Sequence, residues 1–149
     1  MSRRDDAGDL RSIVPAVTRC VAKRREIQAA YVFGSVATGR ARAGSDVDVA
    51  VLVDARVPRS RMLKYRLKLM ADLASALHRS DVDVAVLNEA SPLLAHRVLS
   101  LGTLVFERSA SARVRFQTRI ASLYFDLVPM FETQIRYLKK NARQGRIVG

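Results

Sequence analysis

The stretch "YVFGSVATGRARAGSDVDVAVLV", residues 31–53, decides the reading of this chain. Its two ends are apolar and rich in β-branched and aromatic side chains, as buried strands are. Gly34-Ser35 stops the first run, "AAYVF" (29–33), and ten residues later Asp46 opens the second, "DVDVAVLV" (46–53). Residues i and i+2 of a strand point to one side, ~6.6 Å apart, so Asp46 and Asp48 face the same way. Two carboxylates held together partly out of water repel, at a cost on the order of several kcal/mol unless a positive charge sits between them. Mg²⁺ suits the pair, because it is hard, takes carboxylate oxygen and joins substrate phosphates. Two such ions, roughly 3.5–4 Å apart, can share the carboxylates and clamp an in-line displacement at phosphorus.

A third carboxylate is then expected on a neighbouring strand. "DVDVAVL" (81–87) supplies Asp83, between Val82 and Val84. Asp81 shares its parity but stands at the strand's start, where turn acids are common, so Asp83 is the expected partner. A glycine after a strand lets main-chain N–H groups approach a phosphate, and a helix opening there turns its positive end to the anion. Gly34 and Ser35 are therefore the expected phosphate turn. Arg40 and Arg42 could neutralise a leaving pyrophosphate, although solvated loop arginines are the commoner case.

Outward from this stretch, the pattern is one of helices alternating with strands. Ser12 and Pro15 mark a first helix with Ile13, Val14, Val17, Cys20 and Val21 on one face. A second helix is expected over 61–78, its stripe Leu63, Leu67, Met70, Leu73, Ala74 and Leu77. Ser91-Pro92 starts a third and Gly102 stops it; "TLVFE" (103–107) is a fourth strand. From about Ala110 to Asn141 the chain reads as helix, with Pro129 kinking or dividing it. The expected fold is α/β (α+β), a small mixed sheet flanked by helices, in a single domain over 1–149. Its catalytic core spans about 25–108 and a helical segment about 110–142.

The chain has 149 residues, 49% of them hydrophobic, which is enough for a core. Its 26 Lys and Arg against 14 Asp and Glu give +12, a charge that attracts nucleotides, nucleic acid or an acidic protein face. Direct nucleic-acid binding is not favoured, since the basic residues are spread evenly. The single cysteine, Cys20, fits a reducing cytoplasm, and it reads as a small core residue. The start "MSRRDDAGDL" lacks the apolar centre of a secretory signal. There is no Gly-x-Gly-x-x-Gly fingerprint and no phosphate loop ending in Gly-Lys. Asp-x-Asp also opens calcium loops, but Ala50 and Val51 stand where such a loop needs an oxygen ligand and a glycine. His78 and His96 have no partner at metal-ligand spacing. Tyr124, Phe125, Phe131 and Tyr137 read as core or partner-helix packing, and "RYLKKNARQGR" (136–146) as a solvated basic end.

Gly-Ser, ten residues, Asp-x-Asp and a later strand acid resemble the signature of the polymerase β-like nucleotidyltransferases. "VDVAVLNEASPLLAHRVLSLGTLVFER" (82–108) is similar to the stretch after the third acid in the minimal nucleotidyltransferases of MntA type. Those pair with a HEPN-domain toxin. The resemblance covers roughly residues 25–108. It implies a palm-like nucleotidyltransferase fold, ATP as donor and a cytoplasmic HEPN-domain RNase as partner. The acceptor is a tyrosine of that toxin, which the transferred AMP silences. It assigns the triphosphate to Gly34 and Ser35, metal to Asp46, Asp48 and Asp83, and the acceptor's proton to Asp83. Val36 departs from relatives with a larger side chain after Gly-Ser. Other outcomes stay open: transfer to a small molecule such as an aminoglycoside, or silencing by covering alone.

Overall fold

The computed structural model describes residues 10–34 and 46–143. In chain order these form α1 (Leu10–Ala22), β1 (Ile27–Phe33), β2 (Val47–Val53), α2 (Met62–Leu77), β3 (Val82–Val86), α3 (Pro92–Leu101), β4 (Thr103–Glu107) and α4 (Ala110–Arg143). Short 3₁₀ turns at Arg59–Arg61 and Leu87–Glu89 precede α2 and follow β3. The mixed sheet has the order β3-β2-β1-β4. β1 is antiparallel to both β2 and β4, whereas β2 and β3 run parallel. A parallel pair needs a crossover, and α2 is that crossover.

Alternation along the strands sorts the two faces. Val47, Val49, Val51 and Val53 pack with Ile13, Val17 and Val21 of α1 and Met62, Leu69 and Leu73 of α2. Ala50 and Leu52 pack on the opposite face with Ala95 and Val98 of α3 and Phe116 and Ile120 of α4. β2 is therefore apolar on both sides, as sheets covered on two faces require. Full burial of each such Val or Leu contributes about 1.5–3 kcal/mol. A register shift between Ile27 and Ala29 puts Ile27 on the same face as Ala30 and Val32, despite the odd spacing. Asn88 fastens the far end of β2: its amide accepts from Val53 N–H at 2.9 Å and donates to Val53 C=O at 2.7 Å.

Several sequence expectations need correction. α1 begins at Leu10, ahead of Ser12, and Val14 and Cys20 are only half-buried. Of the expected α2 stripe, Leu73 is buried and Met70, Ala74 and Leu77 pack against the core, but Met62 and Leu69 take the places of Leu63 and Leu67, which stand 65% and 53% exposed. α4 passes Pro129 as one helix of 34 residues. Phe125 and Tyr137 on it are exposed, although Tyr124 does pack, stacked on His96 with centroids 3.6 Å apart. Arg136, Lys139, Lys140 and Arg143 are exposed, as a solvated basic end would be. Ser91 caps α3 as expected, accepting from Leu94 N–H at 3.2 Å, with Pro92 in the first turn. The end of α2 is closed by His78 in the left-handed region (φ 53°), with His78 N–H bonded to Ser75 C=O and Arg79 N–H to Ala74 C=O. No described helix is long and apolar enough to cross a membrane.

Candidate active site

The carboxylates gather at one end of the sheet, where β1 finishes and the parallel strands β2 and β3 begin. Phe33 of β1 pairs with Asp48, and Asp48 pairs with Asp83 of β3. Two of the three acids thus stand side by side on neighbouring strands, whose axes lie about 4.8 Å apart. Asp46 is exposed, one residue ahead of β2. Between Asp46 and Asp48, Val47 N–H bonds to Asp81 C=O at 2.9 Å, which locks the two strand starts together.

Gly34 turns the chain directly over Asp48. Its φ is +76°, and a Cβ built there would stand 2.3 Å from Asp48 Oδ2. Both features disfavour any other residue type: the backbone is in the left-handed region, and a side chain would have to displace the carboxylate. The glycine of the expected phosphate turn therefore also determines how closely the main chain approaches Asp48. Ser35, Arg40 and Arg42, and the short helix expected to open at the Gly34-Ser35 turn, lie outside the described residues.

Asp48 feels its neighbours. Burial raises its pKa above the ordinary carboxylate value, and the charges of Asp83 and then Asp46 raise it further. All three influences push the same way. Asp81 differs. Its carboxylate accepts from Arg79 Nε at 2.6 Å and Nη2 at 2.5 Å, a fork that holds its pKa below the usual carboxylate value. Asp81 is thus neutralised within the chain, and Asp83 is the acid that meets Asp48.

The donor chemistry of Asp46, Asp48 and Asp83 is that of a site for a hard divalent cation: oxygen ligands only, with mutual repulsion at Asp48. Among the described residues no three His, Cys, Asp or Glu side chains are already gathered as a metal cage. His78 ends α2 and His96 stacks on Tyr124, so neither imidazole belongs to this site.

Arg66 is a site residue that the sequence reading missed. It reaches from α2 to the outer side of β3, where Nε donates to Val84 C=O at 2.6 Å and Nη2 to Asp83 Oδ1 at 3.3 Å. Asp83 Oδ1 also accepts from Val84 N–H at 2.9 Å. One oxygen of the third carboxylate is thereby pinned. The available signal was its place in α2: Arg66 lies one turn from both Met62 and Leu69, a charge beside the buried stripe.

With that geometry, the chain belongs to the polymerase β nucleotidyltransferase family, whose model matches residues 16–111. It is a nucleotidyltransferase by family. Among curated proteins it is similar to protein adenylyltransferase MntA of Aphanizomenon flos-aquae (strain 2012/KM1/D3). The two are 29% identical over 114 residues, covering 68% of this chain and 71% of that protein. Among solved structures it is similar to a toxin–antitoxin complex with AMP-PNP: TM-score 0.71, 26% identity, 85% of this chain and 98% of that one. The same fold occurs in a complex of a tri-AMPylated Shewanella oneidensis HEPN toxin with an MNT antitoxin. The values there are TM-score 0.67, 24% identity, and 87% and 98% coverage.

Proposed function

We propose that this chain is a Mg²⁺-dependent protein adenylyltransferase and antitoxin, transferring AMP from ATP to a tyrosine hydroxyl of a HEPN-domain RNase. The observation that carries this reading is the direct pairing of Asp48 with Asp83 under the Gly34 turn. The likeness to an adenylyltransferase and to a toxin–antitoxin complex with AMP-PNP supports the choice of acceptor class. Asp46, Asp48 and Asp83 would hold the metal, which when bound neutralises them and polarises the α-phosphate. Gly34 and Ser35 hold the triphosphate, and Arg40 and Arg42 meet the departing pyrophosphate. Asp83 has Oδ1 engaged by Arg66 and Val84, and its carboxylate would both bind the metal and take the acceptor's proton. A tyrosine hydroxyl loses its proton only near about pH 10, so a nearby base matters. The tyrosine oxygen bonds to the α-phosphorus, the bond to pyrophosphate breaks, and the proton passes to Asp83. The new phosphate brings negative charge to the toxin, where it repels RNA.

Incubating the HEPN-domain protein with this chain, ATP and Mg²⁺, then removing the chain, tests the reading. The expected result is an AMP-sized mass addition on a toxin tyrosine, with RNase activity still absent. Unmodified toxin that regains full activity would leave a covering role alone. A second measurement needs no toxin. Ligand at about 100 times its Kd contributes about 2.7 kcal/mol to folding. Melting in Mg²⁺ and ATP should therefore lie several degrees above melting in EDTA. Equal midpoints at millimolar ligand would rule out the site.

A further inference from the structure

β3 is the edge strand of the sheet, and a groove of about 320 Å³ runs along it between α2 and α3. Arg66 and Asp83 line it, with Val84, Val86, Glu89 and Leu94. An exposed strand edge invites another strand to add to it. Here that route is blocked at Val84, whose N–H and C=O are taken by Asp83 and Arg66. The groove is thus built to receive side chains rather than main chain.

Its shoulders are apolar. Leu63 and Leu67 lie on the flank of α2 that carries Arg66, away from Lys64, Tyr65 and Lys68, which line a separate cavity on the other flank. Leu63 is 65%, Leu67 53% and, across the groove, Leu94 37% exposed. Single exposed leucines are ordinary, but Leu94 in the groove wall, with Leu63 and Leu67 exposed on the adjoining flank of α2 beside the Asp83 carboxylate, marks an interaction surface. The floor carries an acid. Glu89 is exposed and has no ion pair among the described residues, whereas Arg66 is committed to Asp83 and Val84. With Asp83 paired to Arg66, Glu89 is the groove's uncompensated charge, and it disfavours a phosphodiester chain and favours a basic side chain.

We infer that this groove is the docking surface for the acceptor protein: apolar side chains of its hydroxyl-bearing segment rest on Leu63, Leu67 and Leu94, and a basic side chain meets Glu89. The segment's hydroxyl then arrives at Asp83, which lines the groove. This rests on the proposed activity for the identity of the occupant. The occupant is protein and not nucleic acid, because the cations of α2 without an ion pair among the described residues, Lys64 and Lys68, line the cavity on the other flank together with Arg61.

The test uses the full chain and the purified HEPN-domain protein. Leu67→Asp and Glu89→Arg should each raise the KM for the acceptor protein by about tenfold, leaving the KM for ATP unchanged. Phe125→Asp, on the 72% exposed Phe125 of α4, should change neither. Wild-type values in both groove variants, with loss in Phe125→Asp, would overturn the assignment. Amide exchange with saturating acceptor and no nucleotide gives a readout independent of activity. Protection over residues 63–67 and 88–94 supports the groove; protection only elsewhere, or none, overturns it. A wild-type chain that protects these segments but transfers nothing would defeat the activity reading and leave the docking surface standing.

Discussion

Asp48→Asn should remove nucleotide transfer and raise the melting temperature of the unliganded protein. The loss follows from the place of Asp48 between the two other acids, where a neutral amide binds a divalent cation far more weakly than a carboxylate and neutralises none of its charge. A fall of about 10³-fold or more is expected, the scale seen when a major electrostatic contribution to a transition state is deleted. The gain follows from the sign of its pKa shift. Burial, Asp83 and Asp46 all raise the Asp48 pKa, so its charged form is worse off folded than unfolded. At neutral pH that charge costs stability, and the cost disappears as pH falls through the folded pKa. A neutral amide of the same shape removes it at every pH. Asp46→Asn should also abolish transfer but stabilise less, because Asp46 is exposed. A purified Asp48→Asn protein with near wild-type turnover would sink the assignment, and one that melts lower would sink the electrostatic account.

Gly34→Ala should move stability the opposite way while also disabling the enzyme. The left-handed backbone at φ +76° costs a non-glycine residue about 1–3 kcal/mol. The added methyl also needs the space of Asp48 Oδ2, 2.3 Å away, so the carboxylate must swing aside. Misplacing a reacting group by about 1 Å can cost 10²-fold in rate, and a loss of at least that size is expected. Thermal melting and single-turnover transfer together check it. A Gly34→Ala protein that melts and turns over like wild type would show that the turn does not constrain Asp48. Opposite stability shifts in the Asp48 and Gly34 variants, with transfer lost in both, separate electrostatic from steric control of one side chain.

The strands were legible in the sequence because their valines leave little choice. β2 is apolar on both faces, and β4 falls on the five residues expected. That Asp83 stands opposite Asp48 was legible for a related reason: an acid inside a strand is held in register with its neighbour, while one at the start can turn to Arg79. The helices were less legible. α2 carries leucine on its core side and on its groove flank, so a stripe through Leu63 and Leu67 fits the periodicity nearly as well as the stripe through Met62 and Leu69. Periodicity cannot tell a leucine kept for a core from one kept for a partner. Arg66 was missed because its role depends on a strand 18 residues away. That β2 and β3 run parallel, which sets the two acids side by side, is a property of the crossover and not of either strand.

The third carboxylate rides on a five-residue strand at the rim of the sheet, held by ladder bonds to β2 alone. Peripheral elements of this kind open in partial fluctuations well below the free energy of global unfolding. One such excursion takes Asp83 away from Asp48 while β1, α3 and α4 stay folded around the other core. Catalytic competence would then have its own equilibrium, shallower than that of the molecule as a whole. Anything that clamps the rim, such as an occupant of the adjoining groove, would deepen it.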